Sequence, residues 1–392
     1  MALINEEIEA LTIDELRSRK TYKWSTRPRA IDVSIAEFDF PVSVEITNSL
    51  QHWAKEGCFG YVSPSFADEL RTATCAWLTS SYGFCVDPSA VQLVPDVIRA
   101  FEASVDMLQS PTANIVIPTP AYGPFLTIAG KLGRPVVEVP MLSTPRGYRL
   151  DLTRVADELA PGGLFLLCNP HNPTGTVHSR QDLEVLSSIV SEKDARVFSD
   201  EIYAPIVFDG HTHISYADVN EAARAHTVTA VSASKAWGLS GLKCAQVVLS
   251  NDTDIAIWNS KMPSIARGGA SAPGIVATLA AYQRGDLWLR RTMSHLEYNR
   301  RLLSDLVSTH LPAAHYIPPG GTFLAWIDCR NLIGTRRPGR FFLETANVHT
   351  VDGYECGASG AGYVRVNFGT SDEILRMTVE SMAEAVYRRR TL

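Results

Sequence analysis

Between residues 91 and 250 the chain repeats one pattern: a short apolar block, a polar or proline-bearing turn, then a stretch with helical spacing. VQLVP (91–95), ANIVIP (113–118), PVVEVP (135–140), LFLLCNP (164–170), ARVFSD (195–200), HTVTAVSAS (226–234) and CAQVVLS (244–250) are the strand candidates, each closing near Pro, Ser, Asp or Gly. DVIRAFEASVDML (96–108) repeats apolar residues at helical intervals behind an aspartate of the kind that caps a helix. This rhythm predicts an α/β domain with a mostly parallel sheet, in which polar residues at strand ends collect on the ligand-binding edge. From about residue 286 the pattern changes. DLWLRRTMSHLEYNRRLLSDLV predicts a long helix leading into a second unit, with GTFLAWIDC (321–329) and GYVRVNF (362–368) as its strands. The predicted organisation is therefore an N-terminal segment 1–45 packed with the second unit, a large domain 46–285 and a smaller α/β domain 286–392.

The length of 392 residues is enough to bury two such cores. A net charge of −6, spread over 36 basic and 42 acidic residues without a basic block, gives nucleic-acid binding no electrostatic support. The opening MALINEEIEALTIDELRSRK is too acidic for a secretory signal, and no later apolar run reaches spanning length, so no membrane association is expected. The cysteines are odd in number, 7, and form no close metal-ligand cluster. They predict reduced thiols in a cytoplasmic protein and no metal centre, with Cys168 and Cys244 buried beside apolar runs.

The candidate chemistry begins at SASKAWGLSGLKC (232–244), where Lys235 follows a serine-rich turn and Lys243 follows eight residues later. A lysine among cations or in a dry pocket is neutral for part of the time and can capture an aldehyde. Alone the motif is common. It stands, however, in an ordered series: EFDFPV (37–42), FGY (59–61), PTPAYGPF (118–125), NPHNPTG (169–175), SDEIY (199–203), GTFLAWIDCR (321–330) and YVRVNFG (363–369).

This series resembles the fold-type I enzymes that use pyridoxal 5'-phosphate, within the class I/II aminotransferase superfamily, and most closely the bacterial cystathionine β-lyase and C–S lyase group. The resemblance spans nearly the whole chain. It implies a large domain built on a seven-stranded, mostly parallel sheet, a smaller α/β domain, and a homodimer with active sites at the subunit interface. It also implies residue roles. Lys235 would hold the cofactor as a Schiff base and act as the catalytic base. Lys243 and Ser232 would meet the phosphate, together with backbone N–H groups around Asp96, Val97 and Ile98, a use compatible with Asp96 capping its helix. Tyr122 would stack on the pyridine ring and Asp200 would face its nitrogen. Asn172 and Tyr203 would surround the ring oxygen. Arg365 would grip the substrate α-carboxylate through its planar fork. Tyr61 would reach the partner subunit's phosphate, and Trp24 would lie on the substrate side. Glu201 maps to no comparable role.

The implied reaction is β-elimination from a cysteine S-conjugate to a thiol, pyruvate and ammonia. Transamination is the runner-up, because Tyr203 stands where many C–S lyases have His and aminotransferases have Tyr. Decarboxylation or oxidative deamination of an S-conjugate, and a pyridoxal-bound regulatory protein, complete the alternatives. Departures fall near the pocket: DVSIAEFDF (32–40) replaces a tryptophan-containing VADMDF-like stretch, and Gly175-Thr176 replaces a glycine-arginine pair. An ordinary cystathionine substrate is therefore not the expectation.

Overall fold

In the computed structural model, residues 11–261 and 269–391 are described. The seven predicted strands join in one sheet: β1 (Val91–Val94), β2 (Ile115–Thr119), β3 (Val136–Pro140), β4 (Leu164–Cys168), β5 (Arg196–Asp200), β6 (Thr227–Val231) and β7 (Ala245–Leu249). Their order is β1-β7-β6-β5-β4-β2-β3. Neighbours from β6 to β3 pair in parallel, whereas β7 runs against both β1 and β6. The reversal has a local cause. The connection from β6 to β7 contains turns and one 3-10 helix, Ser240–Leu242, but no crossover helix to carry the chain back to the start of the sheet.

Helices cover both faces, so the strands are apolar on both sides. Successive residues of β4 divide between two cores: Leu164 and Leu166 pack with Phe101, Phe125 and Phe198, while Phe165 and Leu167 pack with Leu183, Leu186 and Val190. Helix Val97–Leu108 starts on Asp96, whose side chain accepts the Arg99 N–H.

The second unit carries a four-stranded antiparallel sheet of β8 (His315–Tyr316), β9 (Leu324–Asp328), β10 (Val351–Asp352) and β11 (Tyr363–Asn367), ordered β8-β9-β11-β10. The long helix Asp286–His310 and the helix Asp372–Thr391 bury Leu296, Leu303, Leu375 and Val379 in the same core as Ile327, Val364 and Val366. The chain's beginning also joins this unit. Ile31–Asp32 pairs in parallel with Val348–His349, and the Asn367 amide on β11 donates to the carbonyls of Ile35 and Glu37 at 2.6 and 2.7 Å.

A buried ion pair fixes the same segment. Lys23 Nζ lies 2.7 Å from Asp39 Oδ2, and both side chains are almost wholly excluded from solvent. Trp24 Nε1 donates to the other Asp39 oxygen at 2.7 Å. Asp39→Ala should destabilise the protein by about 3–5 kcal/mol in chemical denaturation, because it strands a buried ammonium. The paired replacement Lys23→Met with Asp39→Leu should cost less, since it leaves no charge behind.

Candidate active site

The carboxyl ends of β2, β4, β5 and β6 share one edge of the large sheet; β1 ends there as well, and β7, being reversed, begins there. The topology therefore gathers residues that are distant in sequence. Asp96, Val97 and Ile98 follow β1, Tyr122 follows β2, and Asn172 follows β4. Asp200 ends β5 with Tyr203 just beyond it, Ser232 and Lys235 follow β6, and Lys243 precedes β7. All of these line a single cavity of about 250 Å³, which Arg365 enters from β11 of the small sheet.

Lys235 is half-buried at the cavity wall, and its Nζ donates to the Ala36 carbonyl at 3.0 Å. Burial pushes the amine down to about 8, the Glu37 carboxylate opposes this, and the Arg365 charge deepens it. Roughly a tenth of the amine is then neutral at pH 7. In the cofactor-free protein, labelling of Lys235 by an amine reagent should rise with a midpoint near pH 8, against 10.5 for an ordinary lysine. Peptide mass spectrometry across a pH series checks this.

Across the cavity, burial drives the Asp200 carboxyl up to about 7. The Ile202 N–H at 3.1 Å, the Cys168 thiol at 3.8 Å and the Lys235 charge pull it back, while Glu201 pushes it further. Such a group ionises readily once a cation faces it. Its neighbour Glu201 serves the loop instead, accepting from Ser199 Oγ and Tyr216 N and meeting Ser215 Oγ and His213 Nε2.

Arg365 is buried with two neutral partners: Nη1 donates to Asn172 Oδ1 at 3.0 Å and Nη2 to the Ser34 carbonyl at 2.7 Å. Its Nε has no acceptor, and the buried Tyr203 hydroxyl likewise has no partner. Tyr122 caps helix Gly123–Lys131 with its ring edge-on to Phe125. Burial raises the pKa of its hydroxyl, an effect the Arg365 charge opposes.

At the other end of the cavity, Asp96 uses one oxygen to cap its helix and the other to pair with Lys243 at 3.0 Å. The N–H groups of Val97 and Ile98 open the helix, where geometry denies them intrahelical acceptors and the dipole favours an anion. Ser232 braces the loop: its hydroxyl donates to the Cys244 carbonyl at 2.7 Å and accepts from Ser234 N at 3.1 Å.

Two expected residues lie elsewhere. Trp24 is not among the residues that line the cavity. It is 2% exposed in the core and held by Asp39, because its indole needs a buried acceptor that the N-terminal segment provides. Tyr61 is fully exposed and outside the cavity of its own chain. Conversely, Ile35, Ala36, Ser234 and Ser240 line the cavity without having been singled out. The serines sit inside the Lys235 motif, where hydroxyls beside an anion site could have flagged them. Ala36 acts through its carbonyl, which no side-chain pattern announces.

The donor set fits pyridoxal 5'-phosphate: an aldehyde for the depressed amine, an anion for the helix start and Lys243, a ring nitrogen for Asp200, and unpaired polar atoms at Tyr203 and Arg365 that call for a ligand. Metal chemistry has no comparable donor set, since no cluster of His, Cys, Asp or Glu suited to a metal occurs among the described residues. Among the same residues no helix is long and apolar enough to cross a membrane.

Comparison with known proteins agrees with this geometry. Residues 29–382 match the model of the aminotransferase class I and II family. Cystathionine β-lyase of Corynebacterium glutamicum is 31% identical over 381 residues, covering 95% of this chain and 99% of its own. Cystathionine β-lyase PatB of Bacillus subtilis is 28% identical, covering 87% and 89%. The solved structure of the pyridoxal-phosphate-bound C–S lyase from Staphylococcus hominis superposes with a TM-score of 0.88 at 25% identity, covering 96% and 98%. The chain belongs to the aminotransferase class I and II family and has the fold-type I architecture of its pyridoxal-phosphate enzymes.

Proposed function

We propose that the protein is a pyridoxal-phosphate-dependent C–S β-lyase that converts a cysteine S-conjugate and water into a thiol, pyruvate and ammonia. The observation that carries this reading is one cavity holding a depressed lysine amine and a buried carboxylate, with an asparagine-held arginine between the two sheets. The relatives named as cystathionine β-lyases and a C–S lyase support elimination as its outcome.

Lys235, Asp200, Tyr122, Tyr203 and Asn172 would hold the cofactor's ring, while Ser232, Lys243 and the N–H groups after Asp96 would hold its phosphate. When bound, the cofactor supplies the electron sink that makes the substrate α-carbon acidic. The chain supplies the rest. Arg365 presents its free Nε and its fork to the α-carboxylate, which orients the α-C–H bond toward Lys235. Lys235 Nζ, partly neutral at pH 7, accepts that proton and can return one to the departing sulfur. Asp200, buried opposite, keeps a negative charge available to the ring nitrogen. The small cavity, walled by Ile35, Tyr122 and Phe125, limits water around these groups.

The active unit in this reading is a homodimer. Phe59 and Tyr61 stand exposed, at 67% and 100%, on a segment that lines no part of its own chain's cavity. Tyr61 would complete the partner subunit's phosphate site. Sedimentation of the holoprotein together with Tyr61→Ala tests this: a dimer is expected, with weaker cofactor retention in the variant.

Transamination is the second reading, favoured by the unpartnered Tyr203 hydroxyl in the cavity, at a position where, by the resemblance, many C–S lyases carry histidine. A panel of cysteine S-conjugates and ordinary amino acids separates the two. Stoichiometric thiol and pyruvate without an added keto acid supports elimination. Amino transfer that requires an acceptor selects the second reading, and carbon dioxide release rejects both.

A further inference from the structure

Arg365 lies in a chain of hydrogen bonds that leads out of the cavity through the N-terminal segment. Its Nη2 donates to the Ser34 carbonyl at 2.7 Å. Asp32 Oδ1 then accepts twice from Ser34, from the backbone N–H at 2.9 Å and from the hydroxyl at 2.7 Å. The second Asp32 oxygen meets His349 Nδ1 at 2.8 Å, and His349 also approaches the Ser34 hydroxyl at 3.3 Å. Backbone pairing locks the same residues in register: Asp32 is the ladder partner of His349, and the N–H of Val33 donates to the His349 carbonyl at 2.9 Å.

This arrangement exceeds what the fold alone requires. Asp32 is buried, and burial would favour its neutral form, yet the hydrogen bonds from His349 and Ser34 hold its carboxyl below the usual value. A buried aspartate whose oxygens are all committed to one serine and one histidine clamps that serine against rotation. Ser34, in turn, offers a carbonyl to a guanidinium whose two partners, this carbonyl and the Asn172 amide oxygen, are both neutral. A neutral partner orients the fork without competing for its charge, which stays available to a ligand carboxylate.

We propose that Asp32 and His349 are positioning residues for recognition of the substrate α-carboxylate: the pair fixes Ser34, and Ser34 fixes the arginine fork. The proposal rests on reading Arg365 as the carboxylate grip, and it assigns no contact with substrate to either residue.

Equilibrium titration of the holoenzyme with two probes tests it. L-Norvaline has no leaving group, and n-butylamine is the same chain without the carboxylate. The dissociation constant of butylamine divided by that of norvaline measures carboxylate recognition apart from turnover. Arg365→Ala should collapse the ratio. Asp32→Ala should lower it about tenfold, through weaker norvaline binding with butylamine unchanged, and Asp32→Asn, which retains an acceptor for Ser34, should recover most of it. His349→Ala, at a partly exposed site less able to disturb folding, should lower it about threefold. A ratio lost in Arg365→Ala but intact in both Asp32→Ala and His349→Ala overturns this proposal alone. A ratio intact in Arg365→Ala overturns the carboxylate reading and this proposal with it. Equal loss for both probes assigns the pair to general stability and also overturns the proposal.

Discussion

Lys235→Ala should lower thiol and pyruvate release from an S-alkyl cysteine by about 10³-fold or more, measured by coupled assay on protein loaded with cofactor. In the proposed reaction the replacement removes both the amine that would meet the aldehyde and the group that would move the α-proton. Lys235→Arg should not rescue it, because a guanidinium stays protonated at working pH. Stability should move the other way. The folded amine titrates near 8 rather than at its ordinary value of 10.5, so the native state carries a cost for the charged form that is complete below pH 8. That cost fades as pH rises from about 8 toward 10.5, where the unfolded chain holds the proton and the native chain does not. Removing the amine from the cofactor-free chain should therefore stabilise it at pH 6 more than at pH 10, apart from the lost bond to Ala36. Activity lost while denaturation midpoints hold or rise separates failed chemistry from failed folding. Substantial elimination by Lys235→Ala would end the assignment of the base.

Asp200→Asn should cost about 10²–10³-fold in turnover, the usual scale for removing one electrostatic stabiliser from a closed site. Asparagine keeps the shape and the bond from the Ile202 N–H but cannot balance a protonated ring nitrogen. Its effect on the cofactor-free chain has a defined pH sign. The carboxyl is raised from 3.8 to about 7, so across that interval the native state holds a proton that the unfolded state has released. Stability thus falls as pH rises from about 4 through 7, and Asp200→Asn should flatten that slope. Urea denaturation at pH 4.5 and 7.5 reads the difference directly. A variant with full turnover would remove Asp200 from the reaction.

Much of this site was legible because its chemistry is carried by side chains at strand ends. The apolar blocks ending in Asp200, in the NPHNPTG turn and before SASK each deliver polar groups to the same edge, and the family resemblance singled out Asp200, Asn172 and Lys235 among them. Arg365 needed more, since nothing in YVRVNFG reveals that β11 faces a different sheet across a cleft. The reversal of β7, which brings Lys243 to the cavity, follows from a connection that contains no crossover helix. What escaped was backbone chemistry. The carbonyls of Ser34 and Ala36 are partners for Arg365 and Lys235, and their residue types carry no signal. Trp24 shows the opposite error: an aromatic near a promising segment is placed by its indole's need for Asp39 rather than by a ligand.

The parallel pairing of Ile31–Asp32 with Val348–His349 joins an early segment of the polypeptide to a late one. During synthesis, Lys235, Asp200 and Asn172 leave the ribosome well before Arg365 and Asn367 exist, while Ala36 waits for a wall that has not been made. A chain arrested before residue 348 would thus lack both the strand that pairs with Ile31–Asp32 and the Arg365 guanidinium. On the reading of Arg365 as the carboxylate grip, discrimination among amino acids would begin only after that late strand is made.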